Sequence, residues 1–128
     1  MGSPIAKAVT GSSIAIVLYF DAMGRATPRL YYQDLDLHLR ERYYDSSLST
    51  WVIGDFNPGV QPRGTPISAE VIQGGDVDIN VIWRDSRGRA MASSWSKSLG
   101  WDILSPNGGR ALTVGGLNEQ DSSWWAGE

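Results

Sequence analysis

An internal repeat is the feature that most constrains the fold of this 128-residue chain. Four positions in the second half match four in the first: Arg29 with Asn80, Glu41 with Ala92, Tyr44 with Trp95, and Trp51 with Trp101. The offset is 51 residues for the first three pairs and 50 for the last. A period near 50 residues is typical of a β-propeller blade, which consists of about four short strands.

The local hydrophobic pattern indicates strands rather than helices. Residues 35–39 and 77–81 alternate between apolar and polar side chains, and residues 14–20 form an apolar run rich in β-branched and aromatic types. Such patterns, bounded by turn-forming segments, are those of β-strands. The sequence therefore predicts an all-β chain of about two four-stranded antiparallel propeller blades.

The repeat also suggests how the chain is divided. We expect one propeller segment over residues 1–128, with a first blade at about 12–60 and a second, degenerate blade at about 61–110. The first blade has two possible starts. Either residues 3–6 match residues 65–68, or residues 14–20 form its inner strand and the N-terminal ten residues add a strand; we favour the second. Residues 111–128 are a C-terminal extension that completes a sheet edge or covers a neighbour.

Composition excludes several classes of function. The chain has no cysteine and a single histidine, His38, so a disulfide framework, a transition-metal site and a bound cofactor are not expected. A net charge of −3 argues against a nucleic-acid partner. No apolar stretch is long enough for membrane insertion, and no signal peptide is visible, so we expect a soluble chain whose compartment, secreted or not, is left open.

Two blades leave strand edges and sheet faces uncovered, because each blade of a propeller buries its faces only against its neighbours. Assembly of identical chains would close the ring. Three copies of two blades make a six-bladed propeller, so the sequence predicts a homotrimer.

Local sequence adds a family resemblance. Residues 29–34 read Arg-Leu-Tyr-Tyr-Gln-Asp, residues 39–41 read Leu-Arg-Glu, and an aromatic pair and a Trp before a Gly follow. This pattern resembles the blades of the fungal and bacterial fucose-specific lectins. Over roughly residues 12–105 the resemblance implies a six-bladed β-propeller lectin that binds L-fucose or fucosylated glycans in pockets between blades and is not an enzyme.

The same resemblance implies which residues bind. One blade supplies an arginine and an acid, here Arg29 and Glu41, and the next supplies aromatic residues, here Trp95 and Trp101. The other pocket is a secondary, degenerate site, with Asn80 and Ala92 in the charged positions and Tyr44 and Trp51 of another chain as its aromatics. Weak or no binding is expected there.

The chemistry also makes sense without the resemblance. A deoxy sugar has hydroxyl groups on one side and an apolar surface of methyl and C–H groups on the other. An arginine donates several hydrogen bonds and a carboxylate accepts them, while an indole packs against the apolar surface.

Other interpretations remain open from sequence alone. Arg29 and Glu41 could form a cross-strand ion pair without a ligand, and Trp95 and Trp101 could pack the blades together, as we expect for Trp83. A glycosidase would need two carboxylates, for which Asp34, Asp36 and Glu41 are the candidates. A propeller scaffold that binds a protein partner is a third possibility.

Overall fold

The computed structural model describes residues 4–74, 76–102 and 110–111. Regular secondary structure in this part of the chain is β-strand throughout. The strands are β1 (Ile14–Phe20), β2 (Ala26–Gln33), β3 (Leu39–Asp45), β4 (Thr50–Ile53), β5 (Ile67–Gln73), β6 (Val77–Arg84), β7 (Ala90–Ser96), β8 (Gly100–Trp101) and β9 (Arg110–Ala111).

The strands form two antiparallel sheets, each a simple meander. The first sheet has the order β1-β2-β3-β4, and the second has the order β5-β6-β7-β8, with β9 also pairing with β7. The start of β2 lies 51 residues before that of β6, and β3 lies 51 residues before β7. The repeat in the sequence is therefore a repeat of sheets, and the predicted all-β architecture is confirmed.

The prediction of an additional strand in the N-terminal ten residues is wrong for residues 4–10, none of which is in a strand. The Val9 amide donates one hydrogen bond to the Gln33 carbonyl, but the chain then turns, with Gly11 at a φ of 87°. This single backbone hydrogen bond does not amount to the pairing of a β-strand. Residues 14–20 form the first strand of the first sheet, as expected. The predicted extension at 111–128 lies, apart from Ala111, outside the described residues.

The β2–β3 turn and the β6–β7 turn, which occupy equivalent positions in the two sheets, have the same hydrogen bonds from main-chain amides. Asp34 begins the β2–β3 turn and accepts hydrogen bonds from the amides two and four residues later. Asp85 does the same in the β6–β7 turn. The third residue after each aspartate has a positive φ, 69° at Leu37 and 77° at Gly88. Because this left-handed conformation favours glycine, Leu37 is a strained counterpart of Gly88.

The two sheets pack face to face around an aromatic core. Trp83, 1% exposed, lies edge-on against Phe56 of the segment between the sheets, with ring centroids 5.8 Å apart. This confirms the packing role predicted for Trp83. The buried Gln33 side chain donates to the carbonyl oxygens of Gln61 and Pro62 and accepts from the Gly64 amide, which fixes the connecting segment against the first sheet.

Along β1, the outer face of the first sheet is not covered by any of the described residues. Four apolar side chains of β1 alternate with buried ones and are 49–65% exposed: Ile14, Ile16, Leu18 and Phe20. An exposed apolar stripe of this kind marks a surface that normally meets another layer. A membrane-spanning helix does not occur among the described residues.

Candidate binding site between the two sheets

A cavity of about 400 Å³ lies between the two sheets and is lined by all four predicted ligand-binding residues. Arg29 and Glu41 come from the first sheet, and Trp95 and Trp101 come from the second. The remaining lining residues are Tyr43, Ile53, Gly54, Asp55, Leu99 and Gly100. A larger cavity of about 520 Å³ opens elsewhere, beside Tyr32, Arg40 and Arg42, and contains none of the four.

The register of β2 and β3 brings Arg29 and Glu41 together. Arg29 pairs with Tyr43 and Tyr31 pairs with Glu41. Because side chains alternate across a strand, all four point to the same face of the sheet, the one that meets the second sheet. Arg29 Nη1 donates to Glu41 Oε2 at 3.1 Å, and both side chains are buried, Glu41 completely.

Two tyrosines hold this ion pair in place. Tyr19 accepts from Arg29 Nε at 3.2 Å and from Nη2 at 3.0 Å, while the Tyr31 hydroxyl donates to Glu41 Oε2 at 2.7 Å. Burial opposes the charge of Arg29, but Glu41 and Tyr19 outweigh it, so the pKa of Arg29 is raised. Burial and then Glu41 also raise the pKa of the Tyr31 phenol well above its ordinary value. The arginine is therefore charged and Tyr31 is a fixed donor.

Part of the hydrogen-bonding capacity of this pair is unused. Glu41 Oε1 is buried and has no hydrogen-bond partner among the described residues. Three hydrogen bonds to Tyr19 and Glu41 leave two of the five N–H groups of the Arg29 guanidinium without a partner among the described residues. A buried acceptor without a donor costs free energy, so a site with this feature favours a ligand, or a water, that donates to it.

Gly54 makes room for the Glu41 carboxylate. A Cβ atom at this position would overlap Glu41 Oε1 and the carboxyl carbon. The Gly54 amide also donates to the Glu41 main-chain carbonyl at 3.0 Å, so the backbone at this point is held against β3. The position of the acid therefore depends on a residue without a side chain.

The aromatic residues contact the charged pair as well as lining the cavity. The Trp95 ring centroid lies 4.2 Å from Arg29 Cζ, and the Tyr43 centroid lies 5.0 Å from it, both within the range of cation–π attraction. Trp101 is only 5% exposed and packs edge-on against Tyr31 at 6.2 Å. Both tryptophans thus pack between the sheets and also line the cavity. The two roles that the sequence offered as alternatives, blade packing and cavity lining, occur together.

The second group of predicted residues is not brought together within one chain. Asn80 and Ala92 lie on the face of the second sheet turned away from the first, because their strand neighbours point inward. Tyr44 and Trp51 stack edge to face at 5.7 Å on the outer face of the first sheet. The two pairs are on opposite outer faces, so a site containing both would need two copies of the chain.

Sequence reasoning missed five residues at this site: Tyr19, Tyr31, Tyr43, Gly54 and Asp55. The alternation of β2 and β3 carries a signal for two of them, since Tyr31 and Tyr43 each lie two residues from a predicted site residue on the same face. Tyr19 and Gly54 act through contacts between strands that no spacing in the sequence indicates.

The single histidine and two of the three acids considered for a glycosidase lie away from this cavity. The described residues contain no group of three or more His, Cys, Asp or Glu side chains that could hold a metal ion. His38 lies elsewhere, with Nδ1 3.2 Å from Asn57 Oδ1. Asp34 and Asp36 line the other, larger cavity, so the acids considered for a glycosidase are not assembled around Glu41.

Solved structures share this architecture. AofleA from Arthrobotrys oligospora superimposes with a TM-score of 0.68 at 23% identity, over 91% of this chain and 33% of its own. SapL1 lectin in complex with alpha methyl fucoside gives 0.63 at 27% identity, over 78% of this chain and 33% of its own. A fucose lectin from Kordia zhangzhouensis in complex with methyl-fucoside gives 0.58 at 18% identity, over 84% and 68%.

The resemblance to the fucose-specific lectins is confirmed. The two sheets are β-propeller blades of the kind found in these proteins. The chain spans about a third of the length of AofleA and of SapL1. No protein-family model and no curated protein sequence matches the chain.

Proposed function

We propose that this chain is a carbohydrate-binding lectin that holds L-fucose or fucosylated glycans in the cavity between its two blades. The observation that carries the proposal is the buried Arg29–Glu41 pair, whose Glu41 Oε1 has no hydrogen-bond partner among the described residues. The SapL1 and Kordia structures, which contain methyl fucosides, support the choice of sugar.

The lining of the cavity suits a deoxy sugar. Arg29 donates to sugar hydroxyls, and Glu41 Oε1 accepts from one of them. Trp95 and Leu99 offer apolar surface to the methyl group and the C–H face. The ligand is small and strongly hydrated in water, so the expected affinity is modest.

The chain is a binding protein rather than an enzyme. Its structural neighbours include proteins named as lectins, which bind sugars without converting them. Glu41 is engaged by Arg29 and Tyr31, an arrangement that fixes a carboxylate as an acceptor. Hydrolysis of a glycoside would need a second carboxylate acting on the same bond. Asp34 and Asp36 lie at a different cavity, and Asp55, the other acid of this one, is exposed at its edge.

Calorimetric titration with L-fucose tests the proposal. The expected dissociation constant is on the order of 10 µM to 1 mM, the range open to a ligand of this size. L-galactose is a matched control ligand, because it differs from L-fucose only by a hydroxyl on the methyl group and should bind more weakly. Absence of binding to any fucoside would favour the scaffold alternative, and turnover of an aryl fucoside would identify an enzyme.

The open faces of the chain lead to a proposal for its assembly. The exposed stripe Ile14, Ile16, Leu18 and Phe20 needs a covering layer, and two blades are a third of a six-bladed ring. We propose a homotrimer, in which the first blade covers about residues 12–60, the second about residues 61–110, and residues 111–128 form an extension.

Light scattering should give a mass near three times the 14.0 kDa of the chain. The apparent melting temperature should also rise with protein concentration, because dissociation accompanies unfolding. A monomeric mass at micromolar concentration, or a midpoint independent of concentration over two decades, would contradict the assembly.

In such a ring the secondary pocket would lie between copies. Tyr44 and Trp51 of one copy would meet Asn80 and Ala92 of the next. Asn80 Oδ1 already accepts from Ser94 at 2.6 Å, and its amide nitrogen donates to Glu70 at 3.3 Å. We therefore propose that this pocket binds sugar weakly or not at all, which leaves one fucose site per chain.

A further inference from the structure

A carboxylate with no role in the ion pair lies at the edge of the cavity. Asp55 lines the cavity directly after Gly54, over which the Glu41 carboxylate sits. Unlike Glu41, Asp55 is exposed to solvent. No hydrogen bond or ion pair engages its carboxylate within the described part of the chain. The side chain is therefore placed where the buried site opens to water.

The charges that line the cavity do not cancel. Arg29 and Glu41 neutralise each other across 3.1 Å. The other lining residues are uncharged except for Asp55, so the described lining has a net charge of −1. Because Asp55 is exposed at the opening, its charge acts on a ligand through partly aqueous surroundings and is sensitive to salt.

Among the described residues, Arg29 is the only lysine or arginine that lines the cavity. Arg25 is paired with Asp21 at 2.9 Å. Lys97 lines a separate cavity together with Asp21 and Asp76. Asp102, which follows Trp101, accepts hydrogen bonds from the Ser93 hydroxyl and the Ser94 amide and is not among the residues that line the cavity. Asp55 is therefore the one charged residue of the described lining without an opposite charge paired to it.

We infer that Asp55 is a specificity-determining residue, which admits neutral fucosylated glycans and disfavours those with a sulfate or carboxylate close to the fucose. The inference rests on the proposed function. If fucose occupies the buried end beside Arg29 and Glu41, the rest of the glycan leaves through the opening, past Asp55. An anion on the adjoining sugar then lies within a Debye length, about 8 Å at physiological ionic strength, and is repelled.

Two glycans that differ only in charge provide the test. The Lewis x trisaccharide is neutral, and its analogue with a sulfate on the N-acetylglucosamine that carries the fucose is anionic. In calorimetry the full chain should bind the sulfated glycan about three- to tenfold more weakly than the neutral one at low salt. The gap should shrink in 0.5 M NaCl, because salt screens an exposed charge.

Asp55→Asn should remove most of this gap, taken as the ratio of the two affinities measured on the same variant, so that any change in the binding of fucose itself cancels. Asp36→Asn is the matched control, since it changes the net charge equally but lies in the exposed β2–β3 turn at the other cavity. This variant should retain the gap.

Three results would overturn the inference. They are equal binding of the two glycans by the unaltered chain, a gap that persists in Asp55→Asn, and a loss of the gap in Asp36→Asn as well. In all three, methyl α-L-fucoside still binds, so the proposed function stands. If the unaltered chain binds no fucoside at all, the proposed function and this inference fail together.

Discussion

Replacing Arg29 with alanine should weaken the binding of L-fucose at least about tenfold, because it removes one or two charge-assisted hydrogen bonds of about 1.5–3 kcal/mol each. Asn80→Ala should change the affinity little, since Asn80 occupies the equivalent position on the face turned away from the cavity. Calorimetry on the two variants compares the repeats directly. If Asn80→Ala abolishes binding and Arg29→Ala does not, the pocket has been assigned wrongly.

The arginine variant also affects stability, and the structure shows why. Glu41 is fully buried, and without Arg29 its charge is balanced only by the hydrogen bond from Tyr31. Breaking a buried pair in this way costs about 3–5 kcal/mol. Binding must therefore be measured at a temperature where circular dichroism shows the variant to be folded. The double variant Arg29→Ala/Glu41→Ala, which leaves no unpaired charge, should regain stability but not affinity.

Gly54→Ala should disrupt the site without removing any polar group. The added methyl would overlap the Glu41 carboxylate, which must then leave its position beside Arg29 and Tyr31. We expect the free energy of unfolding to fall by about 1–3 kcal/mol, as in other overpacked sites. Fucose affinity should fall about tenfold or more, because the displaced acid no longer accepts from the sugar.

Gly74→Ala is the matched control for this substitution. A Cβ atom at Gly74 would have no neighbour within 4 Å. Its effect on stability should be small or slightly favourable, since alanine restricts the unfolded chain more than glycine does. Urea unfolding and calorimetry on the two variants separate the loss of a glycine from the loss of space at the acid. Unchanged fucose binding in Gly54→Ala would show that Glu41 does not need its observed position.

The repeat and the strand alternation predicted the two sheets, and the resemblance to the fucose-specific lectins selected the four residues that line one cavity. Arg29 and Glu41 come together because they lie on paired strands of an antiparallel hairpin and point to the same side of the sheet. A constant offset then locates Trp95 and Trp101 on the next sheet. These are properties of periodic structure, which a sequence displays directly.

Features that depend on close approach were not predictable in this way. The residue at the position of Tyr19 in the second sheet is Ile72, so the repeat gives no sign that Tyr19 holds Arg29. Phe56 comes from a connecting segment without alternation, yet it packs against Trp83 in the core. Leu37 adopts the positive φ that its counterpart Gly88 has in the second sheet, although leucine does not favour that conformation. Each depends on three-dimensional contacts, which composition and spacing do not encode.

Because the cavity draws its walls from both sheets, ligand binding is linked to the docking of one sheet on the other. Arg29 and Trp95 lie 4.2 Å apart in space but belong to separate meanders, each held together by its own strand pairing. A sugar that needs both walls cannot bind once the meanders have moved apart. At a hundredfold excess over its dissociation constant, it would favour the docked arrangement by about 2.7 kcal/mol. A bound sugar therefore stabilises the packing of the two blades against each other more than it stabilises the strand pairing within either blade.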